Sequence, residues 1–382
     1  MWSDVLVKIS AAELNRATLA RQLLLAREPL GVLEGTRRIV AIQGQHPASP
    51  YLALWNRLVD FDPADLDAAF AEGHVVKSTL LRGTLHVVHV DDHLPFHLAM
   101  QPMLRSHLGQ ARSGGLAPEA VYELIPGLVE FAAEPRGTAA IEQWISERCS
   151  APGKAVWWGI RNFAPLLHSP TGGPWSFGQR PSYVAAARQP DPYSVELAGS
   201  MLESLVWRYL EGFGPASIAD IAQFASITRT RVRRAVETLR EKLVELQGAD
   251  GTDLYDVPDG PRPAGDTPAP PRLMPMWDST LLGYADRSRI VPTEYKAVVT
   301  RTNGDVLPTL LVDGRVAGVW RTTPDGIEAT AFSPLPAKTW KALAAEAEAL
   351  STFLEPRDPT VYSRYNNWWP TLPPGDTRLL AS

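Results

Sequence analysis

The most regular alternation of apolar and polar positions lies in residues 217–257. Apolar residues recur with helical spacing at 218–224 and again at 228–243, and each stretch follows a serine or threonine suited to cap a helix. Two short strands are expected at 244–246 and 254–257, separated by a turn that contains glycine and aspartate. Helix, tight turn, helix and hairpin is the order of a winged helix-turn-helix, so this segment predicts a DNA-binding module.

Two earlier stretches follow a similar plan. The first is predicted to contain helices and then a hairpin that turns at Arg82-Gly83, with helices at 11–27, 30–42, 50–59 and 63–72 and the hairpin at 75–90. The second is predicted to contain helices at 138–148 and 155–167 and a hairpin at 168–183. The chain is therefore expected to be α+β and predominantly helical, with three variations on one winged-helix unit.

The character of the sequence changes after a segment rich in proline, glycine and aspartate at 258–271, which we expect to be a linker or a long ordered loop. Asp313-Gly314 favours a tight turn between strands at 306–312 and 315–320. A third strand, a helix and an aromatic, proline-rich coil are expected at 327–332, 337–354 and 362–374. The predicted domains are 1–115, 116–190 and 191–260, each a winged-helix unit, and a β-rich region with a helix at 272–382.

Charge and cysteine content limit the classes of function. The 382 residues carry a formal net charge of −5, whereas a protein that coats DNA without selectivity is usually basic. A DNA surface must therefore be local, as in a selective binder or an enzyme. The single cysteine, Cys149, excludes an internal disulfide and a cysteine-based zinc site. We see no signal peptide and no apolar run of membrane-spanning length, so we expect a cytoplasmic protein, nucleoid-associated when bound to DNA.

Four histidines, His86, His89, His93 and His97, stand three or four residues apart. That spacing suits metal ligands on a helix, but His86 and His89 fall in or beside the predicted wing strand. We therefore favour one or two histidines that face DNA over a metal site, and we predict no bound metal.

Arginines cluster at the start of the second helix of 217–257, at Arg229, Arg231, Arg233 and Arg234. Such a cluster can be an ordinary solvated face. In an acidic chain with helix-turn-helix order we favour DNA contact, because this end of the second helix normally enters a groove.

A further group of charged residues surrounds Trp277-Asp278, Asp286-Arg287 and Arg289. The pattern fits either an Asp–Arg clamp that shapes a loop or an arginine contact with phosphate. The residues alone favour neither interpretation.

The segment Gln43-Gly44-Gln45 lies just before Pro47, where a helix must end. In an extended backbone, residues two apart point the same way, so both amides could converge on one small polar species. The alternative is a helix C-terminus whose amides satisfy backbone groups. From these residues alone, the helix C-terminus is the favoured interpretation.

Five stretches in one order resemble the AlkZ-like (YcaQ-related) family of bacterial DNA glycosylases. They are Gln43-Gly44-Gln45 with 50–57, 81–86, 213–217 with Asp220, 277–287, and 303–315. The resemblance implies three tandem winged helices around a concave DNA channel. It also implies removal of N7-alkylated guanine, including interstrand crosslinks made by genotoxic natural products.

The resemblance identifies a catalytic motif of two glutamines separated by one residue, here Gln43 and Gln45. Many members carry a larger residue where this chain has Gly44. A cationic N7-alkylguanine is already a good leaving group, so the site has mainly to position water at the sugar C1′. We hypothesise that the two glutamines position this water in a monofunctional glycosylase. The nearest lysines, Lys8 and Lys77, are far away in sequence, which favours hydrolysis over lyase chemistry that needs a lysine.

The expected partner is double-stranded DNA that carries alkylated guanine, bound by a monomer without a cofactor. The candidate DNA contacts are Arg82, His86, Arg229, Arg231, Arg287 and Arg289. A competing hypothesis is a non-catalytic winged-helix transcription regulator, and a third is a recogniser of DNA damage without chemistry. The regulator would use the same arginine-rich helix, but no coiled-coil or ligand domain is evident, which weighs against it.

Overall fold

The computed structural model describes residues 7–106, 108, 113–187 and 194–381. Residues 1–6, used to judge the signal peptide, and the boundary predicted between 190 and 191 lie outside these ranges. The described helices are α1 (Ala11–Arg21), α2 (Val32–Arg38), α3 (Ser49–Trp55), α4 (Pro63–Ala71), α5 (Val90–Ser106), α6 (Pro118–Phe131), α7 (Thr138–Ser146), α8 (Gly153–Ile160), α9 (Val195–Phe213), α10 (Ile218–Ala225), α11 (Arg229–Leu239), α12 (Lys296–Val299) and α13 (Ala337–Leu354).

The strands form three sheets, and helices and strands together make the chain α+β, as predicted. The described strands are β1 (Val7–Ile9), β2 (Ile42–Gln43), β3 (Val75–Thr79), β4 (Leu85–His89), β5 (Arg136–Gly137), β6 (Leu166–Ser169), β7 (Ser182–Ala185), β8 (Val244–Gly248), β9 (Asp253–Asp256), β10 (Arg272–Met274), β11 (Thr309–Val312), β12 (Arg315–Thr323), β13 (Gly326–Ala331) and β14 (Asp376–Ala381). The sheet orders are β1-β8-β9, β10-β11-β12-β13-β14 and β2-β4-β3-β6-β7-β5.

The six-stranded sheet joins parts of the chain that the sequence assigns to different units. Strands β2, β3 and β4 come from 1–115, whereas β5, β6 and β7 come from 116–190, and one pairing of Lys77 with His168 connects the two halves. The division into domains remains a prediction, but these two segments complete one sheet between them.

This sheet also separates two hydrophobic clusters. Val75 and Val87 pack into one cluster, and their neighbours Val76 and Val88 pack into the other. Successive side chains of a strand point to opposite faces, so a sheet with a core on each side reads as a continuous apolar run.

The elements predicted for 217–257 are present. Ser217 caps α10 by accepting a hydrogen bond from the Asp220 backbone N–H, and Thr228 caps α11 in the same way through Arg231. The helix α11 ends at Leu239, earlier than the predicted 243, and β8 and β9 form an antiparallel hairpin after it. The pairing of β1 with β8 in parallel was not predicted.

The predicted N-terminal helices are too long. The helix α1 ends at Arg21, because Leu23 adopts a left-handed conformation that turns the chain and buries its side chain. Similarly, α2 ends at Arg38, shortly before the left-handed Val40. The backbone of 42–43 is then free to pair with β4, and the hairpin β3–β4 lies within the predicted 75–90.

The predicted helix at 155–167 is also wrong in its second half. The helix α8 ends at Ile160, and Leu166 begins strand β6. Pro165 explains the change, because proline has no backbone N–H and disfavours the helical conformation of the residue before it. The hairpin of β6 and β7 follows in the predicted region, with a long connection between its strands.

The C-terminal region forms the five-stranded antiparallel sheet, with α13 packed against it. Asp313 and Gly314 both have positive φ and make the predicted tight turn between β11 and β12. The segment 258–271 is an ordered loop against α1, since Arg16 Nε donates to the Thr267 carbonyl at 2.6 Å. The predicted coil at 362–374 contains a 3₁₀ helix, Ser363–Thr371.

Candidate active site

The segment Gln43-Gly44-Gln45 continues the edge of the six-stranded sheet. Gln43 pairs with His86 in antiparallel register, and the Gly44 backbone N–H donates to the Leu85 carbonyl at 2.8 Å. The backbone is therefore extended, and the favoured interpretation as a helix C-terminus is wrong. The reason is the early end of α2, which leaves this segment free to join the sheet.

Gln43 is held by Arg82, which lies in the turn between β3 and β4. The Gln43 side chain is 4% exposed, and its Oε1 accepts a hydrogen bond from Arg82 Nη2 at 2.8 Å. Arginine has donors only, so the carbonyl end of the amide must face it. The amide nitrogen therefore points away from Arg82, and no described residue accepts a hydrogen bond from it.

Arg82 in turn connects the motif to α10. Its Nη1 donates to the Phe224 carbonyl at 2.7 Å, and the guanidinium lies 5.6 Å from the centre of the Phe224 ring. Arg82 itself has a left-handed backbone conformation, with φ of 55°, which costs about 1 kcal/mol outside glycine. One guanidinium thus joins Gln43 to a helix almost two hundred residues later in the chain.

Gln45 differs from Gln43 because its side chain is exposed. Its Oε1 lies 3.5 Å from the Leu85 backbone nitrogen, a long contact that leaves the amide able to meet a ligand. The next residue, His46, is partly buried, and its Nδ1 accepts from the Ala48 N–H at 3.2 Å. Burial lowers the pKa of His46 to about 4, so this imidazole is neutral at pH 7.

The histidines do not lie as the sequence suggested. His86 is fully buried, and burial lowers its pKa to about 3. Its Nδ1 lies 3.0 Å from the Thr84 carbonyl and its Nε2 lies 3.2 Å from Arg82 Nη2, so Nδ1 carries the proton. The prediction that His86 contacts DNA is wrong, because its ring supports Arg82 and has no exposed surface.

His93 and His97 lie on α5, where their rings stack with centres 5.6 Å apart, and both residues are buried. His89 lies at the end of β4, next to Asp91. In the part of the chain that the structure describes, no group of three or more histidine, cysteine or acidic residues is arranged to hold a metal ion.

The candidate arginines fall into two sets. Arg229 is exposed and Arg231 is partly buried, and both line an open groove between α5 and α10–α11. Arg287 donates to Thr300 Oγ1 at 3.1 Å, and it is close enough to Arg82 for its charge to lower the pKa of that guanidinium. Arg289 donates to the Pro215 carbonyl at 2.9 Å and lies over the Tyr284 ring. Whether these arginines contact DNA remains a prediction.

The Asp–Arg clamp suggested by the sequence exists, but with a different arginine. Asp278 pairs with Arg57, through Nη1 at 2.9 Å and Nη2 at 3.0 Å, and both side chains are almost completely buried. A buried bidentate pair has no room for phosphate, so this aspartate shapes the loop. Arg57 lies in one of the stretches that carry the resemblance, but no local signal pointed to its partner.

Sequence reasoning also missed Lys77. It assumed that no lysine stands near the motif, yet a Cβ atom on Gly44 would lie only 3.5 Å from Lys77 Cε. The strands explain this proximity, since β4 lies between β2 and β3 and carries Val87 between Ile42 and Lys77. The separation of Lys77 from the motif in sequence therefore does not exclude lyase chemistry, and the inference drawn from that separation is wrong.

The comparison with known proteins now defines the class. The family model described as "DNA glycosylase AlkZ-like" matches residues 36–353, so the chain belongs to the AlkZ-like DNA glycosylases. The prediction of a DNA glycosylase is confirmed, and DNA is its partner.

Two particular matches come from Streptomyces sahachiroi. An "Interstrand DNA cross-link repair glycosylase" is 24% identical over 352 residues, which cover 86% of this chain and 92% of that protein. The solved structure of the Streptomyces sahachiroi DNA glycosylase AlkZ has a TM-score of 0.77 at 20% identity, and the match covers 93% of this chain and 99% of that chain. The two proteins share their fold. Among the described helices, none is long and apolar enough to cross a membrane.

Proposed function

We propose that this glycosylase hydrolyses the N-glycosidic bond of cationic N7-alkylguanine in double-stranded DNA, with Gln43 and Gln45 positioning the attacking water. The observation that carries the proposal is the fixed orientation of Gln43, whose carbonyl accepts from Arg82 at 2.8 Å. Its amide N–H groups can then donate to a water molecule, and the exposed carbonyl of Gln45 can accept from it. One amide that donates a hydrogen bond and one that accepts a hydrogen bond are sufficient to hold a water molecule in one orientation.

The amide chemistry limits the substrates. A glutamine is not usefully basic, so it cannot remove a proton from water as a carboxylate would. The hydrogen bonds that hold the motif involve Arg82 and the Leu85 backbone, and among the described residues no carboxylate takes part in them. A carboxylate would stabilise an oxocarbenium-like transition state more strongly. The reaction must therefore rely on a base that is already cationic, and neutral damaged bases are not expected to be substrates.

We further propose that three winged-helix units enclose the DNA as a channel and that the protein acts as a monomer. The exposed Arg229 and the neighbouring Arg231 line the groove beside α11, in the position of a recognition helix. Arg287 and Arg82 continue this positive charge towards Gln43. These arginines would form a local positive surface that binds phosphates, although the net charge of the whole chain is −5.

Interstrand crosslinks are the substrate class named for the Streptomyces sahachiroi relative. A crosslinked guanine is tethered to the opposite strand and cannot be flipped fully into a deep pocket. Gln45 is exposed and the groove at α11 is open, which suits approach to a base that stays in the duplex. We propose that this chain also releases such lesions, in repair or in self-resistance.

The direct test uses a duplex with one N7-methylguanine. After incubation, alkali cleaves the abasic sites, and a denaturing gel measures scission. The wild-type chain is expected to cleave, and Gln43→Ala with Gln45→Ala is expected to lose at least about 100-fold in rate. Gln143→Ala, at an exposed glutamine on α7, is the matched control and should retain the rate. Equal cleavage by the double variant would overturn the assigned roles.

The same duplex also tests the regulator hypothesis, which gains no support from the comparisons. A regulator would bind one undamaged sequence tightly and release no base from any N7-alkylguanine duplex. A glycosylase would release the base and show little preference among undamaged sequences.

A further inference from the structure

Lys77 lies beside the glutamine motif but on the other face of the sheet from Gln43. Lys77 pairs with Val87 on one side and with His168 on the other. Its side chain runs along Gly44, where a Cβ atom would lie 3.5 Å from Lys77 Cε and 3.3 Å from Val87 Cγ2. Because Gly44 has no side chain, it does not cover the aliphatic part of the Lys77 side chain on the side of the glutamine motif.

The ammonium group of Lys77 has no anionic partner. The residue is only 4% exposed, and among the described residues no carboxylate or other acceptor lies within hydrogen-bonding distance of Nζ. Nζ lies over the Phe177 ring, whose centre is 4.4 Å away, and such a contact stabilises a cation only weakly. Burial lowers the pKa of Lys77 to about 8.

Two histidines lie near Lys77. Burial lowers the pKa of His46 to about 4 and that of His168 to about 3, with a smaller contribution from the charge of Lys77 to each, while Asp358 acts in the opposite direction on His46. A buried cation without an anionic partner is unfavourable in the free protein. Nζ is nevertheless not among the fully enclosed polar atoms that lack a hydrogen-bond partner, so part of its surface remains in contact with solvent.

We propose that Lys77 binds a DNA backbone phosphate next to the nucleotide held at Gln43 and Gln45. The proposal rests on the proposed function, because it places the damaged strand at the glutamines. A phosphate would supply the negative charge that the site lacks. The alternative, a direct approach of the lysine to the lesion, brings two positive charges together, since both the alkylated base and the sugar in the transition state are cationic.

The phosphate also has a consequence for catalysis. An uncompensated ammonium near the glutamine motif would oppose the development of positive charge on the sugar. Pairing Lys77 with a phosphate cancels this effect while fixing the strand relative to the motif. Lys77 is then a positioning residue for the substrate strand rather than a group that reacts.

The experiment measures binding without base removal. A duplex with a tetrahydrofuran abasic analogue, which has no base to release, is titrated with protein at several salt concentrations. Lys77→Met is expected to weaken binding several-fold and to reduce the slope of log K against log salt by about 1, the value for one lost phosphate contact. Lys77→Arg should restore most of the slope. Lys8→Met, at an exposed lysine on β1, is the matched control and should change neither quantity.

The outcomes separate this inference from the proposed function. If Lys77→Met binds with an unchanged slope while Gln43→Ala still loses cleavage, the phosphate assignment is overturned and the glycosylase proposal stands. Circular dichroism of each variant shows that it is folded, and methionine keeps the volume of the buried stem.

A second arm tests for a covalent role. The wild-type chain is mixed with a duplex that contains a natural abasic site and with cyanoborohydride. If the Lys77 amine condenses with the C1′ aldehyde, an imine forms, water leaves, and the reductant converts the imine to a stable secondary amine that joins protein and DNA. A covalent product that disappears in Lys77→Met would overturn the phosphate assignment. We expect none.

Discussion

Arg82 donates a hydrogen bond of 2.8 Å to the side-chain carbonyl of Gln43 and, through its other terminal nitrogen, binds the Phe224 carbonyl at 2.7 Å. This arrangement fixes the orientation of the Gln43 amide, with its nitrogen directed away from Arg82. Arg82, which also remains a candidate DNA contact, therefore has a structural role at the motif.

Replacing Arg82 should reduce turnover more than binding. Arg82→Lys keeps one charge but cannot donate to Gln43 and Phe224 from two fixed nitrogens. We expect kcat for N7-methylguanine release to fall about 10- to 100-fold, while KM changes little, because the water-holding amide loses its orientation. Single-turnover and steady-state rates measure the two quantities. A rise in KM with unchanged kcat would show instead that Arg82 mainly holds DNA.

The buried pair of Arg57 and Asp278 should stabilise the fold only as a pair. Asp278→Asn leaves an uncompensated charge on Arg57, which is about 1% exposed, and is expected to lower the free energy of unfolding by about 3 to 5 kcal/mol. A double replacement, Arg57→Met with Asp278→Leu, should recover part of this loss. Urea denaturation measures all three proteins, and equal losses in the single and double variants would contradict the buried-charge explanation.

The protein should lose stability in mildly acidic solution. Burial lowers the pKa of five histidines to about 3 or 4, namely His46, His86, His93, His97 and His168. The unfolded chain binds these protons near pH 6.5, so it holds more protons than the folded chain between about pH 6.5 and 4, and stability falls as the pH falls. Each histidine contributes roughly 1.4 kcal/mol per pH unit in this window.

The check is urea denaturation at pH 7, 6 and 5. His93→Leu, at a buried histidine on α5, should reduce the slope of unfolding free energy against pH by the contribution of about one proton. A slope that does not change between wild type and this variant would show that His93 is protonated in the folded protein.

Removing the charge of Lys77 should stabilise the free protein. Below pH 8 the lysine is protonated in both states, and the folded state bears the unfavourable burial of the charge. From pH 8 to about 10.5 the folded state releases this proton before the unfolded state does, so wild-type stability rises with pH. Lys77→Met is therefore expected to be more stable by up to about 3 kcal/mol at pH 7, with the difference shrinking from pH 8 upwards and vanishing above about pH 10.5. Equal stability at pH 7 would indicate that the ammonium is well solvated.

The parts of the fold that the sequence predicts best are those determined by residues close together in the chain. Ser217 and Thr228 cap their helices through neighbouring backbone N–H groups, and Asp313-Gly314 forms a tight turn from two residues with positive φ. Caps and turns of this kind depend only on nearby residues. The bounds of α1 and α2 were wrong because Leu23 and Val40 adopt left-handed conformations, which tertiary packing imposes and side-chain periodicity does not reveal.

The residues of the candidate site also differ in how far the sequence predicts them. Gln43 and Gln45 are proposed from their motif and their roles remain a prediction, whereas the surroundings of Gln43 depend on contacts between distant residues. Phe224 lies 142 residues from Arg82, and Asp278 lies 221 residues from Arg57. His86 was expected to face DNA because it falls in or beside the predicted wing strand, but this strand has a hydrophobic cluster on each side.

The guanidinium of Arg82 mechanically connects the motif at Gln43 to α10. Gln43 and the Phe224 carbonyl share it, and Phe224 belongs to α10, immediately before the arginine-bearing α11. A shift of α10 when α11 engages phosphates would therefore change the orientation of the Gln43 amide. By thermodynamic reciprocity, a ligand that favours one orientation of that amide would alter the affinity of α11 for DNA. Lesion recognition and groove binding would then be coupled through a single side chain.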